Sequence, residues 1–218
     1  MKIARIAHAG LVVSTERLRC FVDPVLVEPF ACGTNRLEPA VRIATAEAAR
    51  LCDAIVLSHA HPDHFSIRSL DALPRDVFTF YPRGDALVEA ALRRLGFREV
   101  HAMAMGERVT LEDLSFHATP SRVPFPEQGL LFEANGATCW NLVDTAIDED
   151  AISFARRLAP RIDVLLATYQ PLAQSFFDLG RAARGLDPEQ YGGFLSHVFA
   201  IAPRAARPRS KNDCARGW

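Results

Sequence analysis

Several features that would assign this chain quickly to a class are missing from its sequence. The five cysteines, Cys20, Cys32, Cys52, Cys139 and Cys214, are scattered and never spaced as C-x-x-C. That excludes a zinc knuckle or a dithiol redox pair and leaves free thiols in a reducing compartment as the reading. No apolar run approaches the ~18 residues of a membrane span. The apolar start is cut by Arg5 and His8 and has no small-residue cleavage site, so a cytoplasmic location is expected. Neither sign of charge dominates: 25 Lys and Arg against 26 Asp and Glu give a formal net charge of -1, which argues against nucleic acid as a partner. No Gly-x-Ser-x-Gly context surrounds Ser14, Ser58 or Ser121, and no glycine-rich phosphate loop is present. Serine-hydrolase and P-loop chemistry are set aside on those grounds.

What is there reads as an ordinary globular chain, 218 residues long and 49% hydrophobic, long enough to bury a large core. Runs over 2–7, 10–14 and 18–22 predict strands, with a turn at Thr15-Glu16-Arg17 and a stop at Asp23-Pro24. The segment 24–45 is a long loop, a length often functional. Its stretch from Glu28 to Arg42 is the expected substrate-facing part, with Phe30, Asn35 and Arg36 as candidate contacts. A helix over 46–51, a buried-type strand over 54–57, a helix over 65–73 ended by Pro74, and a strand over 77–80 follow. Leu87, Ala91 and Leu95 share one face of a helix over 84–95, with Gly96 just beyond it. Val100, Val109 and Leu111 mark short strands, and 114–119, 129–134 and 137–143 mark longer ones, the last two joined by the hairpin dipeptide Asn135-Gly136. Asp148 is placed to cap a helix over 149–158, and 164–166 is again a buried-type strand. Helices are expected over 172–183 and 188–202. The order predicts an α/β domain over 1–202, two mixed sheets packed together with helices outside. An Arg/Pro-rich, poorly packed tail follows over 203–218, read as a terminus whose packing partner is missing or lies on another chain, the latter implying a homo-oligomer.

The chemistry concentrates in His59-Ala60-His61-Pro62-Asp63-His64. Four metal-capable side chains lie within six residues, and three of the seven histidines are among them. Imidazole suits borderline divalent ions, and a carboxylate adds charge and hardness. After a buried strand, His59 and His61 can point the same way, with Asp63 and His64 offset in the first turn of a following helix. The loop can therefore serve two ions, one from His59 and His61 and another from Asp63 and His64. Asp144, after the strand ending near Val143, is a second candidate, a carboxylate able to bridge two ions. Read without the loop, it would be turn chemistry.

Val56-Leu57-Ser58-His59-Ala60-His61-Pro62-Asp63-His64 resembles the metal-binding segment of the metallo-β-lactamase fold. His8-Ala9-Gly10-Leu11 and Phe21-Val22-Asp23-Pro24-Val25-Leu26 resemble one branch of it. That branch holds the ascorbate-phosphate lactonases, N-acyl phosphatidylethanolamine phospholipase D and the lactamase-like part of CMP-sialic acid hydroxylases. Trp140-Asn141-Leu142-Val143-Asp144 resembles the branch's Asn-x-x-Asp segment, whose aspartate bridges the metals. The resemblance covers roughly residues 3 to 170. It implies an αββα sandwich with one or two divalent ions at one edge, zinc first and manganese or iron next. It also implies that metal-bound hydroxide hydrolyses an ester, lactone, amide or phosphodiester of a small molecule, and that Asp63 holds metal and orients the water. The implied metal ligands are His59, His61, Asp63, His64 and Asp144.

The chain also departs from that family. A further histidine ligand aligns with Phe125, which cannot bind metal. His117 is a candidate replacement, or else a histidine on a sheet face. The family's last histidine ligand is missing from Ala167-Thr168-Tyr169-Gln170-Pro171, and His197 lies far off in a predicted helix. In this branch the position of His8 lines the site without binding metal; the plainer reading is a histidine closing a strand. Two rival expectations follow: a non-hydrolytic iron-binding redox or oxygenase-type member of the fold, or an accessory protein with a degenerate site.

Overall fold

The computed structural model describes residues 1–31, 43–121, 123–145 and 148–167. Met1–Thr168 group as one compact unit. The expected helices over 172–183 and 188–202, the tail from 203, the boundary at 202, His197, Asn35 and Arg36 lie outside the described residues.

Six strands form the first sheet in chain order: β1 (Lys2–Ala7), β2 (Gly10–Ser14), β3 (Arg19–Val22), β4 (Ala54–Val56), β5 (Phe78–Pro82) and β6 (Glu99–Met103). The tight connections after β1 and β2 give antiparallel pairs. From β3 onward the pairs are parallel, which requires crossovers. These carry α1 (Thr45–Leu51), α2 (Ile67–Asp71) and α3 (Ala86–Arg94). The second sheet runs in the order β11 (Val164–Leu166), β10 (Ala137–Asn141), β9 (Gln128–Ala134), β8 (Leu114–Pro120), β7 (Arg108–Leu111). Its pairs are antiparallel except β10–β11, which α4 (Glu149–Leu158) connects in parallel. Asn135 and Gly136 both take positive φ, 52° and 73°, as a two-residue hairpin turn of this hand requires.

Alternation along the strands sorts side chains into three apolar layers. Val22, Val56, Phe80 and Met103 of the first sheet meet Phe116, Leu130, Phe132 and Cys139 of the second. On the outer face of the first sheet, Phe21, Ile55 and Tyr81 pack with Ala48, Leu70, Val88 and Leu92 from the helices. Leu131 and Trp140 pack on Ala151 and Ala155 of α4. Each fully buried Leu, Val or Phe contributes about 1.5–3 kcal/mol. The result is the expected αββα sandwich of two mixed sheets. Asp148 caps α4, accepting from Ala151 N at 2.8 Å.

Most element ends fall within a residue or two of expectation, and two departures matter for function. The strand predicted over 137–143 stops at Asn141. Val143 takes φ 54°, and Thr145 donates to Leu142 O through both its N (2.9 Å) and its Oγ1 (2.6 Å), closing a turn that ejects Asp144 from the ladder. The helix predicted over 65–73 shrinks to Ile67–Asp71. His64 and Phe65 instead donate to His61 O at 2.9 and 2.7 Å, so Asp63 and His64 lie in a turn before the helix.

The carboxyl ends of β1, β3 and β4 fall on one edge. There the sheets are stitched together: Gln128 donates from Nε2 to Leu57 O (3.0 Å) and from N to Ser58 O (3.1 Å), and His59 and Glu127 form an antiparallel bridge.

Candidate metal centre

β4 delivers Ser58 and His59 to this edge fully buried, and the chain then turns outward. Two groups of donor atoms assemble, each with all atoms within 4.8 Å of one another: His59, His61 and Asp144, and His8, Asp63 and His64. In the first, His59 Nε2 lies 2.8 Å from His61 Nδ1 and 3.9 Å from Asp144 Oδ2. In the second, His8 Nε2 lies 3.1 Å from Asp63 Oδ2, and His64 Nε2 lies 3.9 Å from the same oxygen. His64 Nε2 is also 3.3 Å from Asp144 Oδ2, so Asp144 stands between the two groups. His59 and His64 are buried while His61 and Asp144 are exposed, which opens the cluster to solvent on one side.

Behind it lies a buried hydrogen-bond network. Asp23 Oδ1 accepts from Ser58 N (2.7 Å), and Oδ2 accepts from Ser58 Oγ (2.5 Å) and His64 Nδ1 (3.0 Å). Ser58 Oγ is 2.8 Å from His59 Nδ1. With both Nδ1 atoms engaged, His59 and His64 turn Nε2 towards the cluster, the way a metal-ligating histidine is usually oriented. The backbone is adapted to this. His8 and Asp23 take φ 49° and 41°. A Cβ on Gly10 would meet Ala7 O at 2.9 Å, Asp23 O at 3.0 Å and Val25 N at 3.3 Å, so only glycine lets the first hairpin lie this close to the Asp23 turn.

The electrostatics suit a cation. Burial, then the neighbouring His64, pushes His59 down to about 4, and burial pushes His61 down too. Burial alone would also depress His64, but hydrogen bonds to Asp144 and Asp23 outweigh it and hold the imidazolium up to about 10. Burial opposes ionisation of Asp63, yet the His8 hydrogen bond and the His64 charge keep its carboxyl well below the usual range. The hydrogen bond to His64 likewise holds Asp144 down, while burial raises Glu127. His64 thus carries a proton among carboxylates that would equally attract a metal cation. The donors are imidazole nitrogens and carboxylate oxygens with no sulfur, which fits zinc, iron or manganese.

The structure brings all five sequence-predicted residues, His59, His61, Asp63, His64 and Asp144, to this edge. It does not bring His117: that side chain faces Glu133, with Nε2 3.5 Å from Oε1, and belongs to neither group, in keeping with a histidine on a sheet face. Phe125 lies 5.0 Å ring to ring from His61 and 6.3 Å from His59, packing where a ligand was sought. Phe30 is buried, 5.3 Å from the His8 ring. Sequence reasoning gave no role to Asp23, Ser58 or Glu127, and it read His8 as lining the site or closing a strand. The signals for Asp23 were its place in a segment resembling one branch of the family, which assigned it no role, and its position directly after a strand, which reads equally well as turn chemistry.

The model of the family described as "Beta-lactamase superfamily domain" matches residues 19–187. No curated protein matches the sequence. Among solved structures, a possible metal-dependent hydrolase from Veillonella parvula DSM 2008 is similar at TM-score 0.61 and 16% identity, over 83% of this chain and 79% of that one. The isothiocyanate hydrolase from Delia radicum gut bacteria is similar at TM-score 0.59 and 20% identity, over 72% and 67%. CmlA, a diiron beta-hydroxylase from Streptomyces venezuelae, is similar at TM-score 0.60 and 17% identity, over 75% of this chain but only 33% of that longer protein.

Proposed function

The chain belongs to the β-lactamase superfamily, and on that premise we propose that it is a metal-dependent hydrolase of a small-molecule ester, lactone, amide or phosphodiester. The observation that supports this most is the pair of donor groups linked by Asp144 at one sheet edge. We assign His59, His61 and Asp144 to one divalent ion and Asp63, His64 and Asp144 to a second. A bound divalent ion supplies Lewis acidity that brings the pKa of a water towards ~7.

The remaining work falls to the chain's own side chains. Asp23 and Ser58 fix the rings of His59 and His64, so that Nε2 of each faces the cluster. His8 Nε2 donates to Asp63 Oδ2, which keeps that carboxylate ionised and directed inward, where it orients a water. Phe30 and Phe125 supply apolar walls beside His8 and His61.

The test is a panel of nitrophenyl esters, lactones, anilides and bis-nitrophenyl phosphate, with and without chelator. Turnover of one class that chelator and His61→Ala both abolish is expected. Stoichiometric metal with no turnover of any class contradicts hydrolysis. A second reading is favoured by the likeness to CmlA and by the sulfur-free donor set: an iron centre with non-hydrolytic chemistry. Visible absorbance of a bound di-iron centre in the purified protein is the outcome that selects it.

A further inference from the structure

The five-residue ligand set leaves Glu127 without a role. This residue immediately precedes β9 and is bridged to His59 across the edge where the sheets meet. Its side chain is 1% exposed. Ser121 Oγ donates to its Oε1. Its Oε2 lies 3.9 Å from His59 Nε2, the same separation as that between His59 Nε2 and Asp144 Oδ2. Three donor atoms thus surround one buried nitrogen, since His61 Nδ1 stands 2.8 Å away. Four ligands arranged tetrahedrally at zinc-type bond lengths are ~3.4 Å apart, and the three distances to His59 Nε2 bracket that value, although Glu127 itself stands outside the group whose donors all lie within 4.8 Å of one another. A carboxylate removed from water is strongly disfavoured unless a cation meets it. Among the described residues, no lysine or arginine meets Oε2. One oxygen fixed by a hydroxyl and the other aimed at the donor cluster is the arrangement of an oriented metal-ligating carboxylate.

Phe125 and Glu127 are two residues apart, in the bend that leads into β9. Phe125 faces His61, and Glu127 faces His59. We propose that Glu127 is the fourth protein ligand of the ion held by His59, His61 and Asp144, supplying in this chain the donor that Phe125 cannot. The proposal rests on the reading of that group as a metal site. Replacing a nitrogen donor with a carboxylate oxygen also hardens the site, which shifts its preference from zinc towards iron or manganese.

Glu127→Gln keeps the shape and the acceptor for Ser121 and removes only the charge. Metal affinity is measured by competition with a chromophoric chelator, using zinc, manganese and ferrous iron separately, alongside thermal melting of the metal-free protein. Glu127→Gln is expected to lose about a hundredfold or more in affinity for one ion, beyond the 10–100-fold of a supporting residue. Its metal-free melting temperature should be unchanged or higher, since a buried charge has gone. Wild-type affinity in Glu127→Gln overturns the ligand role and leaves the metal site standing. A fall in affinity matched by a fall in the metal-free melting temperature also overturns it, by making Glu127 structural. Absence of metal binding in the wild type overturns both the ligand role and the site.

Discussion

Replacing Asp23 by asparagine isolates the buried network behind the donor cluster. The substitution conserves shape and changes one oxygen to an amide nitrogen. Asp23 Oδ1 takes the backbone N–H of Ser58, so the asparagine oxygen stays there and its NH2 faces Ser58 Oγ and His64 Nδ1. That NH2 donates where a carboxylate accepted. His64 Nδ1 must then accept, which leaves the ring's single proton on Nε2, 3.3 Å from Asp144. A protonated Nε2 cannot bind metal. Two costs follow. Breaking a buried, hydrogen-bonded charge pair by removing one partner costs about 3–5 kcal/mol, which in a chain of this length lowers the melting temperature by roughly 6–20 °C. Loss of an orienting partner lowers metal affinity about 10–100-fold. Denaturant unfolding of the chelator-treated protein reads the first cost, and metal competition reads the second. Asp23→Asn with wild-type stability and wild-type affinity would refute the claim that this network sets the tautomer of His64.

The same pair gives the metal-free protein a pH dependence. His64 rises from its ordinary 6.5 to about 10 on folding. Its stabilisation is therefore complete below about pH 6.5 and is lost as the pH rises through about 10, with a slope of at most about 1.4 kcal/mol per pH unit. Denaturant midpoints of the chelated protein should fall over that window, and Asp23→Asn should flatten the fall. With saturating metal, the ion takes the place of the proton and the slope should disappear. Gly10→Ala should destabilise by about 1–3 kcal/mol, the range for overpacking, because every atom its Cβ meets is backbone. It should also weaken metal binding by shifting His8 and Asp23; an unchanged melting temperature would show that the hairpin can move aside.

Much of the sandwich was legible because alternation and turn chemistry are local. The Asn135-Gly136 hairpin, the Asp148 cap and the existence of a strand at Val164–Leu166 all followed from a few neighbouring residues, although that strand, expected to be buried, leaves Val164 and Leu165 exposed at the sheet's edge. The His-rich loop was legible for the same reason, since its donors lie within six residues. The residues that hold those donors in place were not. Asp23 and Ser58 are 35 positions apart, His8 and Asp63 are 55 apart, and Glu127 reaches His59 only because the second sheet folds back on the first. Each is individually an ordinary acid, hydroxyl or strand-end histidine, and only burial against a distant partner marks it as functional. Phe125 misled in a different way: the alignment expected a histidine there, while the nearest spare carboxylate sits two residues further on.

Metal content tests the central claim most directly. The chain should be purified without chelator and counted by plasma mass spectrometry, alongside His59→Ala and His61→Ala. One or two divalent ions per wild-type chain, reduced in both variants, is the predicted result. A wild-type chain that holds no ion, and takes none up on exposure to zinc, manganese or ferrous iron, would contradict it.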